Sequence, residues 1–167
     1  MTTAPLLERH LRLTIVVNGR PAPQGSKAYK GHRTNAATGR RTAVLVEQSK
    51  RVKPWRALVT AATVHAITYG GARYAPLDGP LEAEIVFTVL KPASAPKRRR
   101  TWPTTRHSGD VDKLIRSTFD GIADGGGVVD DSRIIRVTAT KTFPGEHPDA
   151  LAQPGAIIRL YTLGDPS

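Results

Sequence analysis

The sequence predicts an α+β fold, a two-layer sandwich with a mixed β-sheet and its helices packed on one face. Three observations lead there. Apolar residues alternate with polar ones, period two, near both ends of the chain and in its middle. Two other stretches repeat their apolar residues at helical spacing. The resulting order is strand, strand, helix, strand, helix, strand, strand, which lays helices against a sheet. At 167 residues the chain is long enough to bury a core of its own, and residues 1–167 read as one domain with short flexible termini.

The first strand is predicted over Leu11 to Val17, where Leu13, Ile15 and Val17 alternate with Arg12, Thr14 and Val16. The run Gly19-Arg20-Pro21-Ala22-Pro23-Gln24-Gly25-Ser26 ends it in a loop. Lys27 to Arg41 continues as a basic, mobile loop, so that residues 19–41 form one basic loop region, and Thr42 to Glu47 is a short apolar strand. A helix starts near Pro54, a residue suited to a first helical turn. It carries Trp55, Leu58, Val59, Ala62 and Ala66 on one face and stops at Gly70-Gly71.

Pro80 to Lys91 is the clearest strand, with Leu81, Ala83, Ile85, Phe87 and Val89 on one side and Glu82, Glu84 and Thr88 on the other. A second basic loop follows over residues 92–109, rich in Pro and Arg. The second helix runs from about Asp110 to Ala123 with Leu114, Ile115, Thr118, Phe119 and Ile122 as its buried stripe, and Gly125-Gly126-Gly127 stops it. Two closing strands, Arg133 to Phe143 and Ala156 to Leu163, complete the sheet.

Composition excludes several classes of function. There is no cysteine, so disulfides and thiolate metal sites are ruled out and any metal must take oxygen or imidazole ligands. No apolar run approaches the roughly 20 residues that span a bilayer. Met1 to Arg12 has no signal-peptide core, so a cytoplasmic protein is expected. The net charge is +11, and it is uneven. Residues 1–60 hold twelve Lys/Arg against two acids, whereas residues 111–167 hold six against eight. A clustered basic excess points to a polyanion, and nucleic acid is the expected partner.

Within this basic chain, six of the fourteen acids lie between Asp110 and Asp131. One helix-start carboxylate serves most often as an N-cap, and a second in the first turn favours the helix dipole. Here Asp112 and Arg116 share a helix face, and Asp130-Asp131 places like charges side by side just before a strand. If the connecting segment folds back, Asp131 joins Asp110 and Asp112. Three carboxylates without cysteine suit a hard cation, Mg²⁺ or its substitute Mn²⁺. Such an ion lowers the pKa of a bound water and neutralises phosphate charge, with Arg116 or Lys113 as the accompanying side-chain cation.

These residues resemble the RusA family of Holliday junction resolvases, phage-borne members included. The family's Asp-x-Asp-Asn motif, its basic residue four positions after the second Asp, an Asp four further on and an Asp-Asp pair before an apolar strand correspond to Asp110, Asp112, Arg116, Asp120 and Asp130-Asp131. The likeness is specific over residues 107–137 and looser upstream, where a strand, a Gly/Pro turn with Lys27 and a Trp55-containing helix match in outline. Two positions depart from the pattern. Lys113 stands in place of the Asn, and Arg116 stands where a catalytic Lys is usual. Arginine keeps the charge but cannot give up a proton.

The resemblance implies a homodimeric, Mg²⁺-dependent endodeoxyribonuclease of DNA recombination and repair that nicks four-way junctions. Asp110, Asp112 and Asp131 would hold the metal, and these three with Arg116 and Lys113 would form the catalytic set. Asp130 is the weaker ligand, since neighbouring side chains on an extended chain point opposite ways, and Asp120 has a pairing or capping role. DNA contacts are expected from Lys27, Lys30 and Arg33 in the first basic loop and from Lys97, Arg98, Arg99 and Arg100 in the second. The competing reading is a non-catalytic, basic nucleic-acid-binding protein whose acids are helix caps. A phosphatase built on Asp-x-Asp fits less well, because Arg106-His107-Ser108-Gly109 precedes the motif where a buried apolar strand is normal.

Overall fold

A computed structural model of the chain describes residues 8–25, 27–47, 50–70 and 75–164, without the side chains of residues 27–29 and 45–47. Among the described residues there are six strands and two helices: β1 (Glu8–Asn18), β2 (Lys27–Thr34), β3 (Arg41–Glu47), α1 (Val52–Tyr69), β4 (Leu81–Thr88), α2 (Val111–Asp124), β5 (Ile134–Thr142) and β6 (Gly155–Gly164). Short 3₁₀ turns precede α2 (Arg106–Ser108) and β5 (Asp131–Arg133). The sheet is four-stranded and mixed, in the order β1-β6-β4-β5, with β4 and β5 parallel and the other pairs antiparallel. Parallel neighbours need a crossover connection, and α2 supplies it. The α+β class and the helix-on-sheet arrangement read from the sequence are what the structure has.

Period-two alternation puts one row of apolar residues from every strand on the same face. Ile15 of β1 pairs with Ile158 of β6, which pairs with Ile85 of β4, which pairs with Ala139 of β5. The helices cover this face. Trp55, Val59 and Thr63 of α1 and Leu114, Thr118 and Ile122 of α2 are fully buried between the layers. Each large side chain so buried contributes about 1.5–3 kcal/mol. The Trp55 indole N–H also donates to Thr118 Oγ1 at 3.1 Å, tying one helix to the other. They approach so closely that a Cβ on Gly121 would lie 2.7 Å from Val59 Cβ, which is why α2 carries a glycine in its interior.

The opposite face of the sheet carries a charged network beside the apolar row Val16, Ile157 and Val86. Glu82, only 4 % exposed, accepts hydrogen bonds from Arg9 of β1 and Arg136 of β5, each at 2.9 Å. Glu84 accepts from Arg9 and from the Tyr161 hydroxyl of β6. All four strands are thus joined by side chains on that face.

Two expectations need correction. The stretch from Lys27 is not a loop up to Arg41: Lys27–Thr34 is strand β2, and it pairs with β3 as a separate two-stranded ribbon. Leu58 is 41 % exposed instead of central to the α1 stripe, because it lies at the margin against Gly19.

Candidate active site

The start of α2 is held from three sides. The loop after β1 lies across it, with the Gln24 N–H donating to the Lys113 carbonyl at 3.0 Å and Ser117 Oγ donating to the Ala22 carbonyl at 2.7 Å. The 3₁₀ turn before α2 ends at Gly109, whose φ of 78° and 3.0 Å approach to Pro23 admit only glycine. From β5, the Lys141 ammonium donates to the Gly109 carbonyl at 2.6 Å and to Ser108 Oγ at 3.0 Å. Burial pushes Lys141 below the usual lysine range, and the nearby Asp110 carboxylate opposes that shift.

Asp110 occupies the N-cap position, yet its side chain makes no cap hydrogen bond, contrary to the structural role open to it from sequence. It pairs instead with Lys113 at 3.0 Å. That hydrogen bond and the lysine's charge hold the Asp110 carboxyl below the usual range, with smaller contributions from Lys141 and Arg106. Lys113 is raised correspondingly by Asp110 and, more weakly, by Asp112. A cleft of about 450 Å³ opens here, lined by Pro23, Gln24, Gly25, Arg106, Gly109, Asp110 and Lys113. Gln24 Oε1 is buried beside it with no hydrogen-bond partner among the described residues. A second cleft of about 440 Å³ lies on the other side of Pro23, among Lys50, Arg51, Arg106 and His107.

Asp112 and Arg116 are exposed on α2, and Asp131 is exposed at the 3₁₀ turn before β5. Among the described carboxylates, Asp112 and Asp131 are the two with neither an ion pair nor a hydrogen bond. Arg116 likewise makes no ion pair. The structure does not gather the three predicted ligands. Among the described residues no three Asp, Glu or His side chains stand close enough to hold one ion. Asp131 precedes the first residue of β5, whereas Gly109 is held by Lys141 near the strand's last. Ile134 to Lys141 measures about 23 Å at strand rise, so Asp131 and the Gly109–Asp110 corner lie toward opposite ends of β5.

Asp130 caps the 3₁₀ turn through the Ser132 N–H at 2.9 Å, and Asp120 pairs with Arg56 of α1 at 3.4 Å. Each carboxylate has a partner within the chain. Lys30, Arg33, Lys97, Arg98, Arg99 and Arg100 are exposed, with the Arg100 guanidinium 4.0 Å over the Trp102 ring. Lys27 opens β2, and its side chain lies outside the described residues.

Residues 19–151 match the family model described as endodeoxyribonuclease RusA. The chain belongs to the RusA family. No curated protein matches it. For this RusA family member the sequence missed Lys141, Arg106, Lys50, Arg51 and Gln24. Arg106 alone carried a signal, as a cation four residues before the first Asp. Gln24 and Lys141 reach the α2 start, and Lys50 and Arg51 the cleft beside the preceding turn, through contacts distant in sequence.

The Lys141 anchor has a measurable consequence. In Lys141→Met, two hydrogen bonds from a charged donor are lost, each worth about 1.5–3 kcal/mol. Thermal denaturation should show a lowered midpoint, and circular dichroism an unchanged secondary structure. An unaltered midpoint would mean the anchor contributes nothing.

Proposed function

We propose that this chain is a structure-selective endodeoxyribonuclease that resolves four-way DNA junctions by Mg²⁺-dependent phosphodiester hydrolysis. It would act as a homodimer, in recombination and repair, in the cytoplasm of a bacterium or a phage-infected host. The reading rests on family membership together with one observation. The start of α2 presents Asp110 in a cleft lined by Arg106 and Lys113, and two residues on it exposes Asp112, which among the described residues has no ion pair or hydrogen bond.

The donors suit the ion. Mg²⁺ is commonly held by one or two carboxylates together with substrate phosphates and water, and an all-oxygen set needs no cysteine. Asp110 and Asp112 would be the holding pair. Asp131, also unpaired, is the third proposed ligand, and within one chain it lies toward the other end of β5 from this pair. A bound Mg²⁺ would supply a water of lowered pKa and neutralise charge on the phosphate. The chain's own groups do the rest. Lys113 orients Asp110, and Lys141 fixes the backbone from which α2 begins. Arg116, unpaired, faces the phosphate as a fixed positive charge. The departure from the family pattern is then a division of labour, with the lysine engaged by a carboxylate and the arginine free for DNA.

The separation of Asp131 from the α2 start favours the second reading, a basic protein that binds nucleic acid without cutting it. Labelled synthetic four-way junctions incubated with and without Mg²⁺ separate the two. Paired nicks near the crossover that need the metal support the nuclease. Binding without cleavage at any Mg²⁺ or Mn²⁺ concentration supports the alternative.

A further inference from the structure

The ribbon β2–β3 stands apart from the main sheet. Its residues from Lys30 to Ala43 are exposed on both faces, apart from a half-buried Gly31. A two-stranded ribbon on its own is marginally stable in water, so this shape calls for a surface to rest on. Residues 27–46 contain five Lys/Arg and no Asp or Glu. Among the described residues Lys30, Arg33, Arg40 and Arg41 form no ion pair.

The register distributes these charges. Arg33 is paired with Thr42 and Thr34 with Arg41. Cross-strand partners share a face and successive residues alternate, so Arg33 and Arg41 lie on opposite faces within two residue pairs of the tip. The tip itself is slim. Ala36, Ala37, Thr38 and Gly39 make the turn, closed by the Asn35 side chain accepting from the Ala37 N–H at 2.9 Å and by Gly39 at φ 64°. A bulge at Gly31, φ 108°, adds twist midway.

We propose that this ribbon enters the major groove of a DNA duplex arm tip-first, with Arg33 and Arg41 against the two phosphate walls. A single sheet layer with its side chains is about 10 Å thick. The major groove is about 12 Å wide and about 8.5 Å deep, and the minor groove is only about 6 Å wide. At about 3.4 Å per residue, that depth takes in the turn and leaves the last two residue pairs, which carry the arginines, at the level of the phosphates. A ribbon lying flat on a single backbone would need cations on one face only. The proposal deepens the DNA-binding part of the function above and rests on it, but not on catalysis.

The test is binding of a synthetic four-way junction in EDTA, followed by fluorescence anisotropy across a salt series, for wild type, R33A/R40A/R41A and R33K/R40K/R41K. Each lost phosphate contact lowers the log–log salt slope by about 0.9, so the alanine variant should lose about 2 to 3 units of slope and the lysine variant should keep it. Guanine N7 methylation protection on the arms should vanish in the alanine variant, while netropsin, a minor-groove ligand, should not compete with wild type. An unchanged slope, or displacement by netropsin, overturns the proposal. Cleavage with Mg²⁺ is scored separately. No nicking with a lost slope would sink the nuclease alone, and nicking with an unchanged slope would sink the ribbon alone.

Discussion

Asp112→Asn is expected to abolish junction cleavage, by more than about a hundredfold, the upper end of what losing a partner one layer out from a metal costs. Junction binding should stay equal or tighten. The substitution keeps the side chain's shape and removes one negative charge facing the phosphate. Asp112 is exposed and engages no ion pair or hydrogen bond, so the thermal midpoint should move by no more than about 2 °C. A labelled-junction cleavage assay beside anisotropy reads both. Cutting at the wild-type rate would remove Asp112 from the metal and with it the proposed site. Asp131→Asn in the same assay reports on the third ligand, because a carboxylate that never approaches the ion can be neutralised without loss of rate.

Trp55→Ala is expected to cost about 3–5 kcal/mol, a large share of the roughly 5–15 kcal/mol that holds a domain folded. Trp55 is 1 % exposed and donates to Thr118 across the helix interface. Its loss opens a cavity where α1, α2 and the sheet meet. For a chain of this size the midpoint should fall by about 6–20 °C in a thermal melt followed by circular dichroism. Trp55→Phe, which keeps most of the volume and loses the indole N–H, should fall much less. A midpoint for the alanine variant within a degree or two of wild type would mean that the helices are not held where the structure has them.

The elements that carried local periodicity were legible in the sequence. β4 alternates Leu81, Ala83, Ile85 and Phe87 against Glu82 and Glu84, and all six are in the strand with that sidedness. The α2 stripe from Leu114 to Ile122 was equally plain. β2 was not, because Lys27–Thr34 has no apolar alternation and a glycine at its centre. It is a strand by virtue of pairing with β3, which no local pattern announces. The Asp110 side chain had two available partners, the helix N–H groups and Lys113 three residues on, and the charged one prevails. Lys141 looked like any polar strand residue, since its bonds to Ser108 and Gly109 span 33 and 32 residues. The acidic constellation was legible as residue types and spacing. Its assembly was not, because the position of Asp131 depends on the direction of β5, and parallel pairing with β4 carries that strand away from it.

The lacing of the sheet's outer face bears on how the protein is handled. Its charges meet in direct contact around a buried Glu82, on strands already held by the backbone ladder and the core. The ribbon's arginines act across water, over distances that molar salt shrinks to about 3 Å. Concentrated brine should therefore strip adhering polyanions during purification and leave the strands bound side by side.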